Sequence, residues 1–229
     1  GESYYSPEPV TKLLIDRIPA SVQLVGFTFT IILFVGIPTG FLAAIYRNSI
    51  FDNIINGTIY FLQALPDFWV AIVLIMVFSL KFEIFPPFGR GGIETMILPS
   101  VALALPLIGR TTRFVRNGLL EVLQEEYIKT GFSKGASKFR VYVFHAFRNS
   151  LIPLVTDTSL QFVWTIGNAI VIEEIFAWSG IGRFVISSLR VRDYPAIQAC
   201  VLFFALVFMI VNLIIDLIYT KLDPRIRYE

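Results

Sequence analysis

With 229 residues, 55% of them hydrophobic, only 16% charged and 22 of them Phe, and with a mean hydropathy of +0.71, the chain carries too little charge to cover a water-soluble domain of its size. A formal net charge of +2 is too small to suggest a nucleic-acid partner, and one cysteine with one histidine leaves no disulfide framework and almost no ligands for zinc or nickel. The composition places the chain in a bilayer.

About 20 mostly apolar residues are needed to cross about 30 Å of hydrocarbon. Residues 1–20, opening GESYYSPEPV, read as an external segment. Residues 18–46 are one uncharged run and predict the first helix; YRNSIFDN then makes a short inner turn. Residues 53–80 form a second run broken only by Asp67, and Pro66 in QALPDFW removes a backbone donor and should kink that helix. KFEIFPPFGRGGIE is an external loop. A third helix, from the uncharged run 95–109, continues past the lipid to about Leu123, with Arg110, Arg113 and Arg116 at three-residue steps expected along one side. Shorter runs at 158–172 and longer ones at 194–215 complete five expected crossings.

Between the third and fourth crossings lies GFSKGASKFRVYVFHAFRNSLIP, a basic stretch with no evident place in lipid. Gly131 and Gly135 permit a sharp turn. Ser137 is an N-cap for a further short helix, in which Phe139, Val143, Ala146 and Phe147 fall at helical spacing. Two readings stay open on these residues: an interfacial helix that anchors the bundle, or a docking surface, favoured by the small and polar residues between Tyr127 and Ser137. His145 alone makes a poor metal site, and a packing or surface role suits it better.

Orientation follows from basic residues. With the Gly131 loop and the C-terminus inside, that side collects twelve of the 19 Lys and Arg, which is the positive-inside arrangement. Five crossings then put the N-terminus outside, and with no initiating Met, basic n-region or apolar h-region at the start, one more helix is expected upstream. The expected division is an external segment 1–20, a transmembrane domain 21–220 containing the inner loop 124–149, and an inner tail 221–229.

EEYIKTGFSKGASKFRVYVFHAFRNSLIP, EEIFAWSGIGRF, VRDYP and NLIIDLIYTKLDPRIR, read in that order, resemble the membrane permease subunits of ATP-binding-cassette importers, in the branch that takes up dipeptides, oligopeptides and nickel. The resemblance covers nearly the whole chain. It implies an all-α polytopic bundle of the type I importer class, usually of six helices, in a prokaryotic cytoplasmic membrane. It also implies that the loop is a coupling helix fitting a groove of a cytoplasmic ATPase, carried here by Glu126, Tyr127, Lys129, Thr130, Gly131, Ser133, Lys134, Gly135, Ala136 and Ser137. The implied partners are two ATPase subunits, a second homologous permease and an external substrate-binding protein, with peptides as cargo and nickel or a metal chelate as the alternative within the branch. The chain departs from the usual pattern in several places: Lys129-Thr130-Gly131 stands where the wider family has Glu-Ala-Ala, Asp67 where Ser is usual, and Ser179 where Pro is usual. No GxxxxGK[ST] phosphate cradle occurs, so ATP and Mg are expected to be used by the partners, with no cofactor and no catalysis in this chain.

Asp67, Asp157, Glu173, Glu174 and Asp216 lie in or at the ends of spans, where ionised groups are costly and usually face a cavity or a partner. Glu173, Glu174 and Asp216 match the family pattern and read as structural. Asp67, Asp157 and Gln161 are candidates for lining a pathway. Two other classes remain at this point: a stand-alone secondary transporter or channel, which would need no such loop, and an aspartyl protease using Asp67 and Asp157, neither of which has a glycine-rich motif beside it.

Overall fold

In the computed structural model residues 2–222 are described. Their order is α1 (Val10–Ile15), α2 (Ile18–Ile45), α3 (Ile50–Ala64), α4 (Asp67–Leu74), α5 (Ile93–Val122), α6 (Glu126–Ser133), α7 (Lys138–Arg140), α8 (Arg148–Ile175), α9 (Ile181–Val191) and α10 (Tyr194–Leu222). A π-helical stretch, Ile75–Lys81, continues α4, and a second, Val141–Phe147, joins α7 to α8. The expected inner tail lies outside the described residues beyond 222, as does the side chain of Asp216.

The expected helices correspond closely to α2, α5 and α10. At Pro66 the expected kink is a full break: Leu65 and Pro66 are both extended, and α4 starts anew at Asp67. Among the described residues, three segments are long and apolar enough to cross a membrane, Val10–Ile45, Ile93–Val122 and Tyr194–Ile215, and α3 with α4 and its extension makes a fourth if the broken pair counts as one. The other expected crossing lies in α8. That helix is 28 residues long but does not reach the same apolarity among the described residues. One element escapes the sequence reading: α9, whose charged residues keep it out of any search for uncharged runs.

The chain divides into two compact units. The first holds residues up to Thr30, Pro66–Ala104 and the chain from Phe162 on. Its apolar core joins Val10 and Leu14 of α1, Ile181 and Phe184 of α9, and Ala196 and Cys200 of α10. Beside it sits a closed polar knot. Glu173, near the end of α8, is buried and accepts hydrogen bonds from the Gly182 and Arg183 amides at 2.8 and 3.3 Å. Ser21 Oγ accepts from the Ile181 amide at 2.9 Å and donates to Glu173 at 2.6 Å. The three free N–H groups at the start of α9 are thereby all satisfied by side chains from α2 and α8. Gly182 is required for this approach, because a Cβ there would lie 2.5 Å from Ile170 Cα. Trp178, fully buried, closes the knot through Nε1 to the Ala20 carbonyl at 2.8 Å. Glu174 pairs with Arg190 at 2.6 Å, so both glutamates have the structural roles expected of them. Along α10, by contrast, Leu202, Leu206, Met209 and Leu213 are exposed, an apolar face suited to lipid.

The second unit is Ile31–Leu65 with Leu105–Gln161. Here Gly36 and Gly40 of GIPTG let α2 lie close against α5, in the small-xxx-small manner of membrane helices. A Cβ on Gly40 would be 2.5 Å from the Thr112 carbonyl oxygen, and Thr112 Oγ1 donates to the Gly36 carbonyl at 3.2 Å. Ser49 caps α3 by accepting from the Asp52 amide at 3.2 Å. Asp52, buried, in turn takes a bidentate ion pair from Arg116 of α5, both bonds 2.7 Å.

Candidate functional site

The first part of the basic loop folds as one short helix with a defined stop. α6 carries Glu126, Tyr127, Lys129, Thr130, Gly131 and Ser133; Lys134 is its C-cap and Gly135 comes next with φ of 80°. The Ala136 amide donates back to the Gly131 carbonyl at 3.2 Å and the Gly135 amide to that of Phe132 at 2.9 Å. That pair of bonds is the Schellman ending, which places its left-handed residue at Gly135. Ser137 then caps the next turn, its Oγ accepting from the Arg140 amide at 3.4 Å.

One buried residue holds α6 down. Ile128 packs in a cluster with Ala44 of α2, Leu119 of α5, and Val141 and Ala146 of the π-helical stretch, with Ala136 partly buried against it. The rest of α6 faces outward. Glu126, Tyr127, Lys129, Thr130, Ser133, Lys134, Gly135 and Ser137 are exposed, and the bonds they make are local: Lys129 to Glu126 at 2.9 Å, Thr130 to the Glu126 carbonyl at 3.1 Å, Ser133 to the Lys129 carbonyl at 3.1 Å. Tyr127 Oη accepts from Asn149 at 2.8 Å. Between α6 and the π-helical stretch lies a concavity of about 380 Å³ bordered by Tyr127, Thr130, Lys134, Arg140 and His145. Arg140 and His145 escape a reading by motif because only the turn at Gly135 brings them back against α6.

Two expectations for this region need correction. Helical spacing predicts an apolar face of Phe139, Val143, Ala146 and Phe147. In the structure Ala146 is buried and Phe147 packs partly buried beside it, as that spacing expects, but Val141 takes the other buried place and Phe139 is 70% exposed. The cause is the π-helical winding of Val141–Phe147, which puts residues five apart on one side. Nor do Arg110, Arg113 and Arg116 share a side. Three-residue steps drift by about 60° each on a helix of 3.6 residues per turn, so Arg116 reaches Asp52 of α3, Arg110 reaches Asp157 of α8, and Arg113 is exposed.

Of the three pathway candidates, Asp157 and Gln161 belong together. Arg110 donates to Asp157 Oδ1 through Nε at 3.2 Å and Nη2 at 2.8 Å, Gln161 donates to Oδ2 at 2.5 Å, and Thr111 donates to Gln161 Oε1 at 3.2 Å. Both oxygens of Asp157 are thus engaged, which is not the arrangement of a proton-sharing catalytic pair. Asp67 belongs to the other unit, in the first turn of α4, where its carboxylate accepts from the Phe68 amide at 2.8 Å. A negative charge there is favoured by the helix dipole.

Residues 36–228 match the family described as "Binding-protein-dependent transport system inner membrane component". The chain belongs to this family. A putative peptide transport system permease protein of Brucella abortus (strain 2308) is 36% identical over 237 residues, covering all of this chain and 76% of its own length. The dipeptide transport system permease protein DppB of Escherichia coli K12 is 34% identical over 260 residues, covering all of this chain and 77% of its own. The glutathione transport system permease protein GsiC of Escherichia coli O1:K1 is 34% identical, with 75% of its length covered. In fold the chain is similar to a chain of the inward-facing MetNI methionine ABC transporter, with a TM-score of 0.80 over 95% of this chain and 100% of that one at 15% identity.

As an inner membrane component of a binding-protein-dependent system, the protein is a membrane-embedded permease subunit of an ABC importer, with the fold of type I importer transmembrane domains. This replaces the stand-alone carrier and the protease. ATPase and binding-protein partners follow in general terms from the family.

Proposed function

We propose that this permease subunit moves short peptides inward and that α6 with the turn at Gly135 is the surface held by an ATPase subunit. The peptide reading is supported by relatives named for peptide and dipeptide transport at 34–36% identity over the full chain. The coupling reading rests on one observation: a short helix with an outward polar face, fixed by a single buried anchor, Ile128, to a cluster that includes the inner parts of α2 and α5. A push on α6 is therefore passed to those helices through packed side chains.

In the cycle proposed here, ATP and Mg act in two ATPase subunits. Their approach to one another shifts α6 and its counterpart in a second homologous permease, and the pathway changes from inward-open to outward-open to take cargo from the external binding protein. Such coupling requires α6 to be held differently in the two states, since equal binding to both shifts nothing. The C-terminus lies on the ATPase side, as the basic residues imply, and no cofactor is needed in this chain.

Affinity capture of the tagged subunit from detergent-solubilised membranes of its source cell, with mass spectrometry, tests the assembly. Recovery of ATPases, a second permease and a binding protein is expected. Recovery of the chain alone, while another complex survives the same detergent, would overturn it. The captured binding protein, assayed with short peptides and with nickel, tests the cargo.

A further inference from the structure

One charged stripe of α5 is only partly used by the fold. Arg110, Arg113, Asn117 and Glu121 recur at i, i+3, i+7 and i+11, the spacing of a single helix face. They border a cavity of about 480 Å³ whose remaining wall includes Asp157 of α8, and all of it lies within the second unit. Arg110 is spent on Asp157. Arg113 and Glu121 are exposed, and neither side chain has a hydrogen bond or ion pair among the described residues. The next arginine along, Arg116, turns away to the buried Asp52. One guanidinium and one carboxylate with no side-chain partner among the described residues therefore line the cavity, with Asn117 between them along the helix.

The spacing suits a particular ligand. Eight residues of helix separate Arg113 from Glu121, a rise of about 12 Å. Three extended residues span about 10 Å, and a peptide with free ends carries a carboxylate at one end and an ammonium at the other. We propose that this cavity binds both termini of a short zwitterionic peptide, the carboxylate on Arg113 and the ammonium on Glu121. The inference rests on the peptide reading above. An arginine fork pairs well with a carboxylate, and a lone acid at the far end rejects a second negative charge. Side chains of the peptide would lie over Phe114 and Gly118, where no charge selects among them.

The test is equilibrium binding of labelled trialanine, trialanine amide and N-acetyl-trialanine to the purified transporter complex in nanodiscs, without the binding protein, so that only the membrane subunits select. Wild type is expected to prefer trialanine over either blocked form. Arg113→Gln should weaken trialanine about tenfold and no longer distinguish the amide, while still rejecting the N-acetyl form; Glu121→Gln should show the reverse. Arg113→Lys, which keeps the charge, should retain the preference. No saturable trialanine binding by wild type, or variants that keep both preferences or lose both together, would overturn the site. Trialanine uptake by the complete transporter with its binding protein, measured in parallel in proteoliposomes, separates the two ideas. If uptake persists, the cavity is wrong and the peptide reading stands; if uptake is absent, the peptide reading fails and this inference fails with it.

Discussion

The start of α9 and the end of α6 solve the same problem in opposite ways. Both are termini of short helices marked by glycine. At α9 every free N–H is met from within the fold by Ser21 and Glu173, and Gly182 is dictated by close contact, with Ile170 where a side chain would be. At α6 the ending is purely local: Gly135 is dictated by its φ of 80°, and nothing lies within 4 Å of a side chain placed there. A knot satisfied from all sides has nothing left to offer a partner, whereas a helix with one buried residue, Ile128, leaves most of its polar side chains exposed. The first region is closed by its own contacts, and the second is the one proposed above to be held by a partner.

Substitutions that add the same methyl group should separate the two regions. Gly182→Ala drives a Cβ into helix backbone, and about 3 kcal/mol of destabilisation is expected, seen as loss of folded protein in thermal unfolding of the detergent-purified subunit. Ser21→Ala should cost about 1–2 kcal/mol, because it leaves the Ile181 amide without its acceptor and removes one of the donors to Glu173. Gly135→Ala meets no neighbour and loses only what its left-handed backbone costs, about 1 kcal/mol, yet it should uncouple ATP hydrolysis from uptake in proteoliposomes. Gly131→Ala is expected to stabilise by about 0.5–1 kcal/mol, because its Cβ would meet Val141 at an ordinary 3.7 Å; transport should persist. Smallest in stability, Lys134→Glu should stay within about 0.5 kcal/mol of wild type but lower ATPase retention on affinity capture. Wild-type uptake by both Gly135→Ala and Lys134→Glu would erase the distinction between a closed knot and an open coupling surface.

Much of the helical scaffold is legible in the sequence. Absence of charge over 18–46 marks α2 almost to the residue, Pro66 marks the break before α4, and Ser137 marks the cap before α7. These features depend on the chain's own backbone and on transfer to lipid, so they are readable locally. The site is less so. Gly135 is visible as a turn residue, but the return of Arg140 and His145 against α6 is not, and the π-helical winding that turns Phe139 outward leaves no periodic signal. α9 hides because its charges point away from the core that its other side joins.

The sequence by itself determined the membrane class, the helical segments and the family, because composition, hydrophobic run length and motif order require no knowledge of which helices meet. Only the tertiary structure decided which charges are spent and which are free. Asp157, Asp52 and Glu173 each take at least one hydrogen bond from a residue 47 to 152 positions away. Pairing over such distances follows from how helices pack, and packing brings Arg110 and Arg116 to their acids while leaving Arg113 and Glu121 open.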